Sequence, residues 1–193
     1  MLGFYGLGCG MCDEMAFIEK DVLNHLKVDS RIVSLPGEDH AFVEVLINRT
    51  WMVSDSGYNY NLVTRNFRAS ERIKEHGAIS LVYVKESDPP LFITDQYVNT
   101  DNIIIHVLKN GVPYANGKIS LTHKFQGRNC GTPEMGLDNN GTFVIKFGNM
   151  TTYNEKAGKV EDFYWVVIDG SKTSLKVMSY GLNETREYTI NIH

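Results

Sequence analysis

The sequence predicts an α+β protein in which a helix packs on an antiparallel sheet and an all-β sandwich follows. Three observations predict it. Apolar side chains recur at three- and four-residue steps over residues 12–26. Three short strand-like runs, at 31–35, 41–47 and 51–55, are separated by tight turn signals. Beyond residue 88, short β-rich runs alternate with Asn-Gly and Asp-Gly pairs.

The chain has 193 residues, enough for one large or two small domains, and its 42% hydrophobic and 22% charged content suits a protein with a real core. A net charge of −4 without any Lys/Arg-rich run argues against nucleic acid or an anionic membrane as partner. No segment approaches the ~18 consecutive apolar residues that a bilayer span requires, so no membrane span is expected.

In the first helix, Met15, Ile18, Val22 and Leu26 recur at helical spacing. Gly8 and Gly10 precede it, and Asp13 and Glu14 in its first turn suit the positive end of the helix dipole. Asp29-Ser30 ends that pattern. Strands Arg31–Leu35, Ala41–Ile47 and Trp51–Asp55 follow, with Pro36-Gly37-Glu38-Asp39 and Asn48-Arg49-Thr50 between them, the signature of an antiparallel meander. A second helix is expected over Phe67–His76 and a further strand over Ala78–Val84.

A domain boundary is expected near Ser87-Asp88-Pro89-Pro90, dividing residues 1–88 from 89–193. Strands are then expected over 103–108, 118–123, 142–147, 164–168, 175–180 and 187–192, a spacing that reads as a sandwich. Charge follows the same division. Through Asp88 there are 9 Lys/Arg against 13 Asp/Glu, and the remainder is balanced at 10 against 10.

Chemistry is expected in the first part. A cysteine at the start of a helix meets unpaired backbone N–H groups and the helix dipole, which favour the nucleophilic thiolate and can hold a developing oxyanion. Cys12 occupies that place. His40 stands at the entrance of one strand and Asp55 at the end of the next. In a meander these ends are neighbours, so Asp55 can accept from one ring nitrogen of His40 while the other faces the thiol. Arg31 is expected to be structural rather than catalytic, pairing with a carboxylate such as Glu44.

The segments Gly10-Met11-Cys12-Asp13-Glu14-Met15-Ala16, Asp29-Ser30-Arg31-Ile32-Val33, His40-Ala41-Phe42-Val43-Glu44-Val45 and Trp51-Met52-Val53-Ser54-Asp55 together resemble the core of the transglutaminase-like superfamily. That family places Ala four residues after the nucleophile, Arg and an apolar residue on the first strand, His-Ala-aromatic-x-Glu on the second, and Trp four residues before Asp. The resemblance spans roughly residues 8–58. It selects Cys12 over Cys9 and implies a papain-like α+β core with Cys12, His40 and Asp55 as catalytic residues and no cofactor. Departures accompany it. Only eleven residues precede Cys12, where the family carries helical sequence, so the catalytic part is expected to be shortened at its N-terminus. Tyr5 is the upstream hydroxyl available to complete an oxyanion hole, with Phe4 beside it. Asp13 stands where the animal crosslinking enzymes have Trp, which favours hydrolysis over crosslinking. The later half, through Asn110–Asn116 and Asp138–Phe143, resembles transthyretin-like and Ig-like surface modules.

The expected activity is thiol-dependent acyl chemistry on a peptide, amide or isopeptide bond, with a protein or peptide as substrate. Two rivals stand beside it: an inactive binding or surface-adhesion module of the same fold, and a redox protein using the Cys9-x-x-Cys12 pair. Cys130 completes the three cysteines. His25, His76, His106, His123 and His193 lack paired spacing, so no metal site is expected. Asn-x-Thr triplets at Asn48, Asn140, Asn149 and Asn183 fit surface turns and point toward an extracellular or cell-surface protein.

Overall fold

The computed structural model describes residues 11–125, 128–150, 153–154, 158–159 and 163–193. The expectations placed on Phe4, Tyr5, Gly8, Cys9 and Gly10 lie outside these residues.

Helix α1 (Met11–His25) opens the described chain. It closes where Lys27, at φ 56°, lets the Val28 N–H reach back to the Leu23 carbonyl at 2.9 Å. Strands β1 (Ser30–Leu35), β2 (His40–Ile47), β3 (Thr50–Asp55) and β4 (Tyr60–Val63) form consecutive antiparallel pairs. Helix α2 (Arg65–His76) starts at Thr64, whose side chain accepts the Phe67 N–H. Strands β5 (Tyr83–Val84) and β6 (Leu91–Phe92) complete a six-stranded sheet in the order β4-β3-β2-β1-β5-β6. Its central strands are buried on both faces. Ile32, Ala41, Val43 and Val45 meet Ala16 of α1, whereas Val33, Leu35, Phe42 and Val53 meet Ala69 of α2, Ile79 and Val82.

The remaining strands are β7 (Asp101–Lys109), β8 (Val112–Pro113), β9 (Lys118–Phe125), β10 (Arg128–Gly131), β11 (Met135–Gly136), β12 (Thr142–Phe147), β13 (Tyr153–Asn154), β14 (Gly158–Lys159), β15 (Tyr164–Ile168), β16 (Ser171–Val177) and β17 (Thr185–Ile192). One sheet runs β10-β9-β15-β16 and another β12-β7-β17, with β17 parallel to β7. Strand β7 buries every second residue, as period-2 patterning requires. Ile103, Ile105, Val107, Ile119, Leu121, Phe143, Ile145 and Val166 from the two sheets share one core. The arrangement is β-rich and compatible with a sandwich. Asn110 and Gly111, at φ 53° and 81°, and Asp169 and Gly170, at φ 47° and 74°, supply the left-handed turns that the sequence announced.

The expected fold class does not hold. An α+β, papain-like core with helix on sheet, followed by a sandwich, is overturned by a molecule built mostly of β-strands in several antiparallel sheets, with two α-helices among its described residues. The physical reason is that strands β1 to β6 of the first half, with central members buried on both faces, join the later strands in making the molecule mostly β, leaving α1 and α2 as the α-helices among the described residues. The apolar repeat of α1 does not serve as a core face either: Ile18, Val22 and Leu26 are 66%, 54% and 67% exposed. The helix lays its small Ala16, with Leu23 beside it, on the sheet, because small side chains allow the close approach. Residues 78–82 are buried but form no strand. Their polar groups bond outside any strand ladder, with Gly148 N–H donating to the Ser80 carbonyl at 2.8 Å and Val82 N–H to Thr94 Oγ1 at 3.1 Å.

Candidate active site

Cys12 is the second residue of α1, so its sulfur sits at the helix entrance beside the N–H groups that lack intrahelical partners. That sulfur is half-buried and directed at the start of β2. The thiol donates to the Asp39 carbonyl at 3.7 Å, which sets it beside His40 and Ala41. The β2–β3 ladder pairs Val43 with Ser54. Extending it by one step places Asp55 opposite Phe42, which makes His40 its diagonal neighbour on the same face. His40 Nε2 and Asp55 Oδ2 meet at 2.8 Å, and both residues are buried. With Nε2 engaged there, Nδ1 is the ring nitrogen left for the sulfur. The structure therefore brings Cys12, His40 and Asp55 together.

The electrostatics follow from these contacts. Burial pushes the Cys12 thiol up, but the His40 and Ala41 hydrogen bonds and the His40 charge outweigh it, so the thiol ionises below its ordinary value. Burial pulls His40 down, yet its hydrogen bonds to Asp55 and Cys12 raise it above the usual imidazole range. Burial also opposes ionisation of Asp55, and the bond and charge of His40, with Arg68 behind, hold its carboxyl below the ordinary value. All three shifts favour a thiolate beside an imidazolium, oriented by a carboxylate.

Aromatic rings enclose the imidazole. Tyr58 meets it edge-on with centroids 5.3 Å apart, and Phe42 lies tilted at 5.9 Å. Beneath the triad, α2 contributes residues that sequence reasoning passed over. Arg68 Nε donates to Asp55 Oδ2 at 2.9 Å; its Nη2 lies 2.8 Å from that oxygen but off the hydrogen-bonding direction. Arg72 donates through Nε and Nη2 to Glu38 Oε2 at 2.8 and 2.5 Å. Arg65 pairs with Glu44, which also takes the expected bond from Arg31 at 2.7 Å and one from the Tyr97 hydroxyl at 2.6 Å. The available signal was the spacing of Arg68 and Arg72 within the expected second helix; Arg65 lies before its expected start at Phe67 and joins the same face because α2 begins at Arg65.

Among the described residues, no group of His, Cys, Asp and Glu could hold a metal ion, and no helix is long and apolar enough to cross a membrane. No protein-family model matches the chain. No curated protein sequence matches it either. A comparison with solved structures finds a crystal structure of a 9R-lipoxygenase from Cyanothece PCC8801, with 12% identity and a TM-score of 0.31 over 68% of this chain and 21% of that one. The chain thus spans about a fifth of that protein's length, and a likeness of this size bears neither on its fold nor on its chemistry.

Proposed function

We propose that the protein carries out thiol-dependent acyl chemistry on a peptide, amide or isopeptide bond. The observation that carries this reading is the convergence of the Cys12 thiol, 3.7 Å from the Asp39 carbonyl at the entrance of β2, with a His40 ring held by the Asp55 carboxylate at 2.8 Å. Cys12 attacks the substrate carbonyl as a thiolate, and the N–H groups at the entrance of α1 stabilise the oxyanion. The His40 imidazolium donates its proton to the leaving amine, and the acyl group remains on sulfur. Neutral His40 then takes a proton from water, or from an acceptor amine, as that nucleophile attacks the thioester; the proton returns to Cys12 sulfur or is shared with the ring as the product leaves. Asp55 holds the ring orientation and stabilises the imidazolium throughout. The likeness of residues 8–58 to transglutaminase-like sequences supports the same assignment of roles, and it suggests a protein or peptide substrate.

The test is the pH dependence of iodoacetamide alkylation, with the modified residue located by mass spectrometry. Labelling confined to Cys12, persisting well below the reference thiol pKa of about 8.5 and slowed in His40→Ala, is expected. An ordinary thiol profile at Cys12 would turn the assignment toward a binding module, and equal labelling of Cys9 would turn it toward redox chemistry. Cys12→Ala protein that still turned over a peptide substrate would end the proposal.

A further inference from the structure

We propose that Arg68 is a positioning residue for this site, the central tooth of an arginine clamp through which α2 fixes the buried carboxylates of the first sheet; the inference rests on the thiol reading above. Arg65, Arg68 and Arg72 share one face of α2, and each engages a different carboxylate: Glu44 on β2, Asp55 at the end of β3, and Glu38 in the turn that leads into His40. Arg68 is 0% exposed, so its charge has little water to answer it. Asp55 Oδ2 receives two donors, His40 Nε2 at 2.8 Å and Arg68 Nε at 2.9 Å.

The two donors do different things. His40 changes charge during the reaction, whereas the guanidinium does not. Arg68 therefore keeps Asp55 ionised and in one rotamer at every stage, including the stage at which His40 has given up its proton. A carboxylate buried beside a neutral imidazole with no other cation would take up a proton or turn away, and the ring would lose its orientation. Arg72 cannot substitute, since its fork is spent on Glu38 and its charge opposes protonation of His40. The charged and titratable groups facing His40 and Asp55 are Cys12 and Asp13 from α1, Glu38 and Asp39 from the turn, Tyr58 after β3, and Arg68, Arg72, Glu75 and His76 from α2. Within this set Arg68 is the cation bonded to Asp55.

The experiment is the alkylation profile of the full chain as wild type, Arg68→Gln, Arg68→Lys, Asp55→Asn and the Arg68→Gln/Asp55→Asn double variant, each checked for folding by circular dichroism. In Arg68→Gln the acid limb of Cys12 labelling is expected to move upward by about one pH unit, a roughly tenfold fall in rate at pH 6. Arg68→Lys should recover part of it, and the double variant should be no slower than Asp55→Asn. A merely structural arginine would lower the melting temperature and leave the profile where it was, which would overturn the inference while wild-type activation stood. A wild type with an ordinary thiol profile would remove the thiol reading itself. Should neither Arg68 variant fold, the Arg68 Nε–H resonance of the wild type decides: it should shift with the same pH midpoint as the His40 ring, and an independent response overturns the inference.

Discussion

His76 shows how the buried arginines act on a group that plays no part in the proposed chemistry. Burial and the charges of Arg72, His40 and Arg68 push its imidazole down to about 4, so it is neutral at neutral pH. The unfolded chain binds a proton at this position near pH 6.5, and the native protein does so only near pH 4. Between these values the unfolded state holds more protons, so stability falls as pH falls through that window. His76→Gln is expected to lose less stability than wild type between pH 7.5 and pH 4.5, measured by thermal melts at both. Equal losses would mean that His76 is not held in the positive field. His40 has the opposite sign. Its raised value adds stability that is fully present below the ordinary imidazole range and is lost as pH rises through the folded value. Asp55, held low, contributes above the ordinary carboxyl range and fails as pH falls through its folded value.

At the scale of elements, α1 poses the sharpest contrast. The sequence marks its face by the repeat Met15, Ile18, Val22 and Leu26, but the sheet receives Ala16, with Leu23 and Val28 at its margin. Ala16 is 2% exposed against Ile32, Ala41 and Val43. Ala16→Leu should therefore force α1 off the sheet and cost about 1–3 kcal/mol, whereas Ile18→Lys should change stability by less than about 0.5 kcal/mol. Urea unfolding of both variants tests this, and the reverse ranking would mean that the hydrophobic repeat is the packed face. Because Cys12 lies one turn before Ala16, Ala16→Leu should also slow alkylation of the thiol at pH 6. Helix α2 differs in kind. Its inward face is cationic, carrying Arg68 and Arg72 against buried carboxylates, so apolar periodicity understates how deeply it is buried.

At the scale of the molecule, the two halves meet at the turn that carries Glu38 and Asp39 into His40. His123 of β9 hydrogen-bonds the Gly37 carbonyl at 3.0 Å, and the Tyr164 hydroxyl of β15 hydrogen-bonds Ser80 Oγ at 2.8 Å. A Cβ on Gly37 would lie 2.1 Å from Ser80 Oγ and 2.5 Å from the Tyr164 hydroxyl oxygen. Gly37→Ala is thus expected to destabilise by about 1–3 kcal/mol and to weaken Cys12 activation, because the displaced turn carries the Asp39 carbonyl and His40. A chain ending near Asp88 would lose His123, Tyr164 and β6 together. It is expected to label at Cys12 with an ordinary thiol profile, and a fully activated thiol in that fragment would show that the first sheet organises the site unaided.

The sequence by itself determined the local pieces: the meander of β1 to β3, the left-handed hairpin turns, and the placement of Cys12, His40 and Asp55 at element ends. Short-range periodicity and turn chemistry carry that information, and a meander's register follows from its turns. Only the tertiary structure decided which face of α1 is buried, that residues 78–82 form no ladder, and that the molecule is predominantly β rather than a helix-on-sheet core. It alone brought Arg65, Arg68 and Arg72 onto Glu44, Asp55 and Glu38. Those pairings join residues 13 to 34 positions apart, and a buried charge is tolerated only where the whole fold delivers its counter-charge. No local pattern in the chain encodes that delivery.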